Sequence, residues 1–285
     1  MTKRLKTVLD FVESHIDKPL TLDELCQVAN LSKFHFHRQC SAYFGMSVYQ
    51  FIKLLRMKRA AFQLAFRTEK KVIDIALSNG YDSHEAFSRA FNKIFGLSPS
   101  AFRRTPDWHS WHQHYQKLVQ FRMQAMTEHA NYQVDLVNFP ETPIAVMTHK
   151  GDPRALGHTI QRFIAWRKHM KLPPSKSRTF NLVYHDPNTV PPEEHRFDLA
   201  CVYQGELLDD ESDVAKNVIP EGRCARIRHI GSDDLLGPVV DYLYSTWLVQ
   251  NEVEVREFPL FFERVSFFPE VKENDMITDV YLPII

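Results

Sequence analysis

Leu5, Val8, Leu9, Val12 and Ile16 recur at helical spacing, so the first segment carries one apolar stripe and is predicted to be a core-facing helix. Pro19 stops it. Thr21-Leu22-Asp23-Glu24 then has the form of a capping box, in which hydroxyl and carboxylate each satisfy a free backbone N–H. Further helices are predicted near 47–66, 72–79, 83–95 and 99–104, the last opened by a Ser98 cap with Pro99 in the first turn. Beyond Thr105-Pro106 the periodicity loosens, and 107–130 reads as a linker. From Tyr132 the pattern becomes short apolar and alternating runs. Strands are predicted near 132–139, 142–150, 179–184, 197–204, 223–230, 255–268 and 276–283, with helices near 155–170 and 235–248. The chain is therefore expected to be multidomain, an all-α part over 1–106 and an α+β part over 131–285.

Each part carries an internal duplication. At a spacing of 51, Ser32, Phe36, Arg38, Phe44, Gly45, Ser47 and Phe51 recur as Ser83, Phe87, Arg89, Phe95, Gly96, Ser98 and Phe102. Each block reads as helix, tight turn, capped helix, glycine stop and new helix, the pattern of a helix-turn-helix unit. Leu22–Ala29 supports a second helix over Lys33–Phe44, and Val72–Asn79 supports one over His84–Phe95. Phe36, Cys40, Tyr43 and Phe44 form the apolar stripe of the first, leaving Phe34, His37, Arg38 and Ser41 outward. Phe87, Phe91, Ile94 and Phe95 do the same in the other, leaving Glu85, Ser88, Arg89 and Asn92 outward. Each outward face holds one matched arginine, whose planar fork suits guanine O6/N7 or phosphate. In the second half, at a spacing of 80, Pro140, Glu141, Ala145, His149, Gly151, Leu156 and Gly157 recur as Pro220, Glu221, Ala225, His229, Gly231, Leu236 and Gly237. Two strand-helix-strand modules about a pseudo-twofold axis, with a shared groove, are predicted.

Charge sharpens this division. Lysine and arginine total 35, as do aspartate and glutamate, yet residues 1–107 hold 17 basic against 10 acidic residues. A basic half joined to an acidic one is expected when only one half meets a polyanion. Cys26, Cys40, Cys201 and Cys224 lack CxxC spacing and sit in apolar stretches, so reduced buried thiols in a cytoplasmic protein are expected. No apolar run has the length of a membrane span, and no apolar signal core follows Met1-Thr2-Lys3-Arg4-Leu5. His109, His112 and His114 are interleaved with Trp and Tyr and joined by no Cys or carboxylate, so they read as part of an amphipathic helix rather than a metal site. No cofactor is expected.

One residue stands out in the acidic half. Alternation through Pro259–Phe268 puts Glu263 on one face with Phe261, Val265 and Phe267, where the first copy, at the spacing of 80, has Val183. A carboxylate among aromatics is costly unless paired, so it predicts either a ligand contact or a structural pair with an arginine such as Arg226 or Arg228. Trp166, Tyr184, Tyr203 and Trp247 are aromatics of the groove or of the core.

The segments Ala29–His35, Gly80–Phe91 and Phe95–Arg103 closely resemble the AraC/XylS-type DNA-binding domain. The resemblance implies two helix-turn-helix units held apart by a long helix near 47–66, with recognition helices in successive major grooves about 34 Å apart. It gives base contacts to Phe34, His37, Arg38, His84, Glu85, Ser88 and Arg89, with Asn92 on the same face. Glu85 stands where relatives often carry an amide, and an acid there would accept from cytosine N4. Lys53, Arg56, Lys58, Arg59, Lys70, Lys71 and Lys93 are expected to steer phosphates. Residues 132–285, with Tyr184-His185-Asp186-Pro187 and Thr278–Ile284, resemble the GyrI-like effector-binding domain, in which a glutamate matching Glu263 meets cationic or aromatic ligands. Phe261, Tyr184 and Trp247 are the accompanying ligand-site candidates. The combination, similar to the Rob-type arrangement, implies a DNA-binding transcription regulator, an activator, that senses a small cationic or amphipathic effector and engages promoter DNA and RNA polymerase. Two alternatives stand beside it: a GyrI-like small-molecule hydrolase with Glu263 as general base, and a protein-interaction module with an empty groove. No nucleophile–His–acid set accompanies Glu263, so no enzymatic activity is expected.

Overall fold

The computed structural model describes residues 3–126, 132–186, 189–207 and 213–285. It divides into two compact units, one of residues 1–128 with 268–275, the other of 129–267 with 276–285. Pro187 lies outside the described residues, as does the side chain of Tyr43.

The first unit is helical. Its helices are α1 Lys3–Ser14, α2 Leu22–Ala29, α3 Lys33–Phe44, α4 Val48–Phe66, α5 Val72–Ser78, α6 His84–Phe95, α7 Pro99–Arg104 and α8 Trp108–Met126. The predicted capping box is present, with Thr21 Oγ1 accepting from Glu24 N and Glu24 accepting from Thr21 N. The duplication is visible in the caps. Ser32 caps α3 as Ser83 caps α6, and both helices stop at left-handed glycines (Gly45, φ 63°; Gly96, φ 68°). Ser47 and Ser98 then cap α4 and α7 in the same way. The turn inside each unit is less regular. The left-handed residue is Asn30 in the first and Gly80 in the second, so the second turn holds one extra residue before its serine cap. The 107–130 segment contributes α8 to this unit, with Trp108, Trp111 and Tyr115 buried. Trp108 stacks on Phe66 at 5.3 Å, and Trp111 meets Phe62 edge-on at 5.2 Å. Residues 268–275 pack here as well. Phe268 meets Phe62 edge-on at 5.1 Å, and Glu273 accepts from the buried Lys58 ammonium at 2.6 Å.

The second unit is an eight-stranded antiparallel sheet in the order β1-β6-β8-β7-β3-β4-β2-β5. The strands are β1 Asp135–Phe139, β2 Thr142–Lys150, β3 Thr179–Val183, β4 Arg196–Val202, β5 Val214–Ile219, β6 Gly222–Ile230, β7 Leu260–Arg264 and β8 Ile277–Pro283. β5 escaped the sequence pattern because it is an edge strand with four exposed residues between its two buried ends. β7 is shorter than the predicted 255–268, since aromatic residues before and after it continue the apolar run outside the ladder. The order is a palindrome of the two modules. Registers relate β1 and β2 to β5 and β6 at a spacing of 80, but β3 and β4 to β7 and β8 at 81. The twofold axis passes through the Asn181–Phe262 pair, on the seam between β3 and β7.

The extra residue sits in a helix. Gly151 and Gly231, 80 apart, are matching left-handed turns ahead of the module helices, whereas the left-handed residues after them, Lys171 (φ 56°) and Glu252 (φ 51°), are 81 apart. Between these points the first module has one α-helix, α9 Leu156–His169. The second has α10 Leu236–Tyr242, a π-turn over Leu243–Trp247 and α11 Leu248–Asn251. The Leu248 N–H bonds back to Leu243 O, a ring one residue wider than the α-helical one, which absorbs the insertion without breaking the helix. It follows that the strand counterpart of Glu263 is Leu182, not the Val183 given by uniform spacing.

Both module helices cover one sheet face. Phe163 of α9 packs on Ala145, Met147, Leu199 and Cys201, while Val239, Leu243 and Trp247 pack on Ala225, Ile227, Phe262, Val280 and Leu282. The other face gathers Phe139, Ile144, Val146, Phe180, Leu182, Phe261 and Tyr281 into its own core. All four cysteines are free and buried, and burial pushes the Cys40 thiol up to about 12.

Candidate functional site

On α3, the burial of Phe36, Cys40 and Phe44 leaves Phe34, His37, Arg38 and Ser41 exposed together, Phe34 at 68%. A large aromatic left this open on a capped helix has no core role. On α6, the burial of Phe87, Phe91 and Phe95 leaves His84, Glu85, Arg89, Asn92 and Lys93 exposed. Arg38 and Arg89 thus occupy the same place on two helices built by the same caps and stripes. Ile94 is half-buried rather than buried. Ser88 departs from its predicted outward position: it is half-buried, and its hydroxyl oxygen is enclosed without a hydrogen-bond partner. The Glu85 carboxyl is held below the usual range by its own backbone N–H, then by the Ser83 hydroxyl and the nearby His84 and Arg89 charges. The acid is therefore anchored at the start of α6 and presents acceptor oxygens there.

Three of the predicted phosphate-steering residues are committed elsewhere. Arg56 donates to Ile16 O at 3.0 Å, Lys18 O at 2.6 Å and Gly80 O at 3.5 Å, fastening α4 to the α1–α2 connection and to the turn between α5 and α6. Arg59 donates to Ser78 O, and Lys58 is buried in its pair with Glu273. Sequence spacing along α4 could not separate these from Lys53, because which side of a long helix meets neighbours is a tertiary matter. Lys70 and Lys71 are exposed, and Lys53 is half-buried.

The second site lies on the sheet face opposite the module helices. Residues directly paired across strands share a face. One row is therefore Asp135, Arg226, Tyr281, Phe261, Leu182 and Asp198, and the next is Arg228, Asp279, Glu263, Phe180 and Ala200. Glu263 does find an arginine, but neither Arg226 nor Arg228. It accepts from Arg178 Nε at 2.6 Å and Arg178 Nη2 at 2.7 Å, and from Tyr281 Oη at 3.2 Å. Arg226 donates to Asp135 at 2.7 Å, and Arg228 makes two 2.7 Å bonds to Asp279. Arg178 also lies over Phe180 and Phe139, 5.1 and 5.5 Å from the ring centres. The Glu263 hydrogen bond raises Arg178's pKa, and burial with the Glu263 and Asp279 charges pushes Tyr281 up to about 12. The phenol is a fixed donor at neutral pH.

Duplication separates what the fold needs from what it does not. The first-module counterparts of Glu263, Tyr281, Arg226 and Arg228 are Leu182, Ala200, Val146 and Thr148. The same strands thus fold with apolar or small residues at these places: the second module adds the charged and phenolic groups, and the first supplies two of their partners, Arg178 and Asp135. Only Asp279 has an acidic counterpart, Asp198, which is fully buried and pairs with Arg196 at 2.8 Å. Arg196 lies 3.9 Å from the centre of the Tyr184 ring. Tyr184 and Phe261 lie with the Glu263 face, Phe261 fully buried and stacked on Tyr281. Trp247 does not. It packs beneath the helix on the opposite face, as do Trp166 and Tyr203, and the expectation of a ligand contact there is corrected to a core role. The residues missed were Arg178, Asp279 and Tyr281. An acid within the apolar run of β8 was a visible signal for Asp279, whereas nothing in sequence marks Arg178, which precedes β3. Among the described residues no group of His, Cys, Asp and Glu could hold a metal ion, and no helix is long and apolar enough to cross a membrane.

Comparison with known proteins places both halves. The profile of the GyrI-like small molecule binding domain matches residues 132–285, and that of a helix-turn-helix domain matches 25–105. The chain is 32% identical over 152 residues to the probable transcriptional regulator YgiV of Escherichia coli (strain K12), covering 53% of this chain and 95% of that one. Over its helical part it is 38% identical to the HTH-type transcriptional regulator YbfP of Bacillus subtilis (strain 168), covering 35% of this chain and 34% of that one. It is likewise 35% identical to the right origin-binding protein of Escherichia coli (strain K12), covering 36% of each. The chain spans about a third of these last two, so their likeness concerns the helix-turn-helix part alone. Sequence, strand register and profile agree: the chain belongs to the GyrI-like small-molecule-binding family, joined here to an AraC-type helix-turn-helix domain.

Proposed function

We propose that this AraC-type regulator binds promoter DNA through the exposed faces of α3 and α6, acts in the cytoplasm as an activator that engages RNA polymerase, and responds to a small effector on the Glu263 face of its sheet. The observation that carries the reading is the matched pair of recognition faces, each with one exposed arginine, Arg38 and Arg89, at equivalent helical positions. Base contacts fall to Phe34, His37, Arg38, His84, Glu85, Arg89 and Asn92, with Lys93, Lys70 and Lys71 meeting phosphates. Phe34 offers an apolar surface to a thymine methyl, and Glu85 an acceptor to cytosine N4. An effector regulates only by binding one conformational state more tightly than another. The Arg178–Glu263–Tyr281 cluster supports such a role because the duplicated fold stands without it. Selection of binding sequences from random DNA by the purified protein, with and without a ligand library, tests the reading. An asymmetric site with two half-sites about one helical turn apart is expected, with occupancy changed by at least one ligand. In vitro transcription from that site then separates activation from repression. No enriched sequence would overturn the DNA assignment, and enrichment blind to every ligand would overturn the effector assignment.

A further inference from the structure

The charged cluster on the sheet is neutral in sum but not in what it shows to solvent. The side chains of Arg178 and Arg228 are 46% and 49% exposed, whereas those of Glu263 and Asp279, which they cover, are 13% and 4% exposed. At these two pairs an arriving molecule meets guanidinium first, whereas in the Arg226–Asp135 pair of the same face the two side chains are comparably exposed, 29% and 37%. Both arginines use the same edge on their carboxylates, Nε with Nη2, so the Nη1 ends take no part in these bonds and meet no acceptor among the described residues. A cation reaching for Glu263 would have to displace Arg178 and leave two like charges competing for one carboxylate. An anion need displace nothing and would accept directly from donors already held in place.

Beside this row lies an apolar one. Two residues along from Arg228 and Asp279, on the same face, are the paired residues Ile230 and Ile277, and Ile230 is 63% exposed. Val265, whose N–H bonds to Ile277 O, is 46% exposed. Isoleucine and valine left open next to a fixed guanidinium pair give a surface that is cationic at one step and greasy at the next.

Resting on the effector reading proposed for this face, we propose that the site takes an amphipathic organic anion, its sulfate, sulfonate or carboxylate on Arg178 and Arg228 and its aliphatic chain over Ile230, Ile277 and Val265. Glu263 and Asp279 then act as positioning residues, orienting the two forks rather than touching a cationic ligand. The geometry reverses the charge expected from Glu263 alone.

Calorimetric titration of the full-length protein without DNA, using decyl sulfate and decyltrimethylammonium below their micelle concentrations, tests this. Decyl sulfate is expected to bind at least tenfold more tightly. Arg228→Gln combined with Asp279→Asn removes a charge pair without leaving either partner alone, and should weaken decyl sulfate tenfold or more while circular dichroism stays unchanged. Ile230→Ser, at an exposed position where folding is not at stake, should weaken it severalfold. Equal or tighter binding of the ammonium probe overturns the ligand class and leaves the effector site standing. Undiminished decyl sulfate binding in both variants overturns the location. If neither probe binds, the proposal falls, and the ligand-dependent selection decides separately whether the effector reading survives.

Discussion

Arg38 and Arg89 are chemically alike and similarly exposed, yet Arg56, on the helix between them, is spent on three backbone carbonyls. What an arginine does here depends on whether its fork meets acceptors within the fold. Arg38→Ala and Arg89→Ala should therefore each weaken specific DNA binding by about 1–3 kcal/mol and relax base choice locally, measured by titration of a selected site and its single-base variants. Normal binding by both variants would rule out their groove contacts. Arg56 gives a different forecast through its neighbour Gly80. At φ 74°, a Cβ on Gly80 would stand 2.7 Å from the Arg56 guanidinium carbon, whereas one on Gly45, at φ 63°, would meet nothing within 4 Å. Gly45→Ala should cost about 1–2 kcal/mol of left-handed backbone strain alone. Gly80→Ala should cost measurably more, since the Arg56 clamp must also shift, and thermal melts of the two variants compare them directly. Equal melting temperatures would mean that the clamp is not structural.

At the scale of elements, the two module helices show how one insertion is housed. The π-turn over Leu243–Trp247 lets the second helix keep its apolar side on the sheet while gaining a residue. The ends of these helices differ in a second way. Arg167, buried near the end of α9, donates to Leu172 O at 2.8 Å, Thr179 Oγ1 at 2.5 Å and Ser177 O at 2.7 Å. Its second-module counterpart is Leu248, and both residues accept the same helix-ending bond, from Leu172 N and Val253 N. Arg167 thus ties the helix end to the approach to β3, the segment that also carries Arg178. Arg167→Met preserves bulk but leaves the buried acceptors unpaired, each costing about 1–3 kcal/mol. A clear fall in stability to urea is expected, along with loosened backbone protection over 177–179 in hydrogen exchange. An unchanged urea midpoint would count against this tie.

On the scale of the whole molecule, each unit has its own core and its own sensitivity. In the sheet unit, burial lowers the pKa of His229 and His195; for His195, the nearby His149 and His185 charges add to this. The folded state then binds fewer protons than the unfolded chain, so the stability held above the ordinary histidine value of 6.5 is lost as pH falls through it toward the lowered folded values. Melting followed by near-ultraviolet signals of the sheet unit should drop between about pH 7.5 and 5.5, and less so in His195→Asn. A flat profile would exclude these residues as the cause.

Repetition made much of this legible in sequence. A spacing of 51 revealed the paired serine caps, glycine stops and matched arginines, because local backbone chemistry recurs wherever the same residues do. A spacing of 80 revealed the two modules, and the isolated acid in an apolar strand marked Glu263. Four matters were settled only by tertiary structure. These are the partner of Glu263, the slip to a spacing of 81, the enclosure of the Ser88 hydroxyl, and the side of the sheet on which Trp247 lies. The reason is common to all four. Helical and strand periodicities fix which residues share a face, but pairing between distant segments and the register of a ladder depend on contacts that only the folded chain brings together.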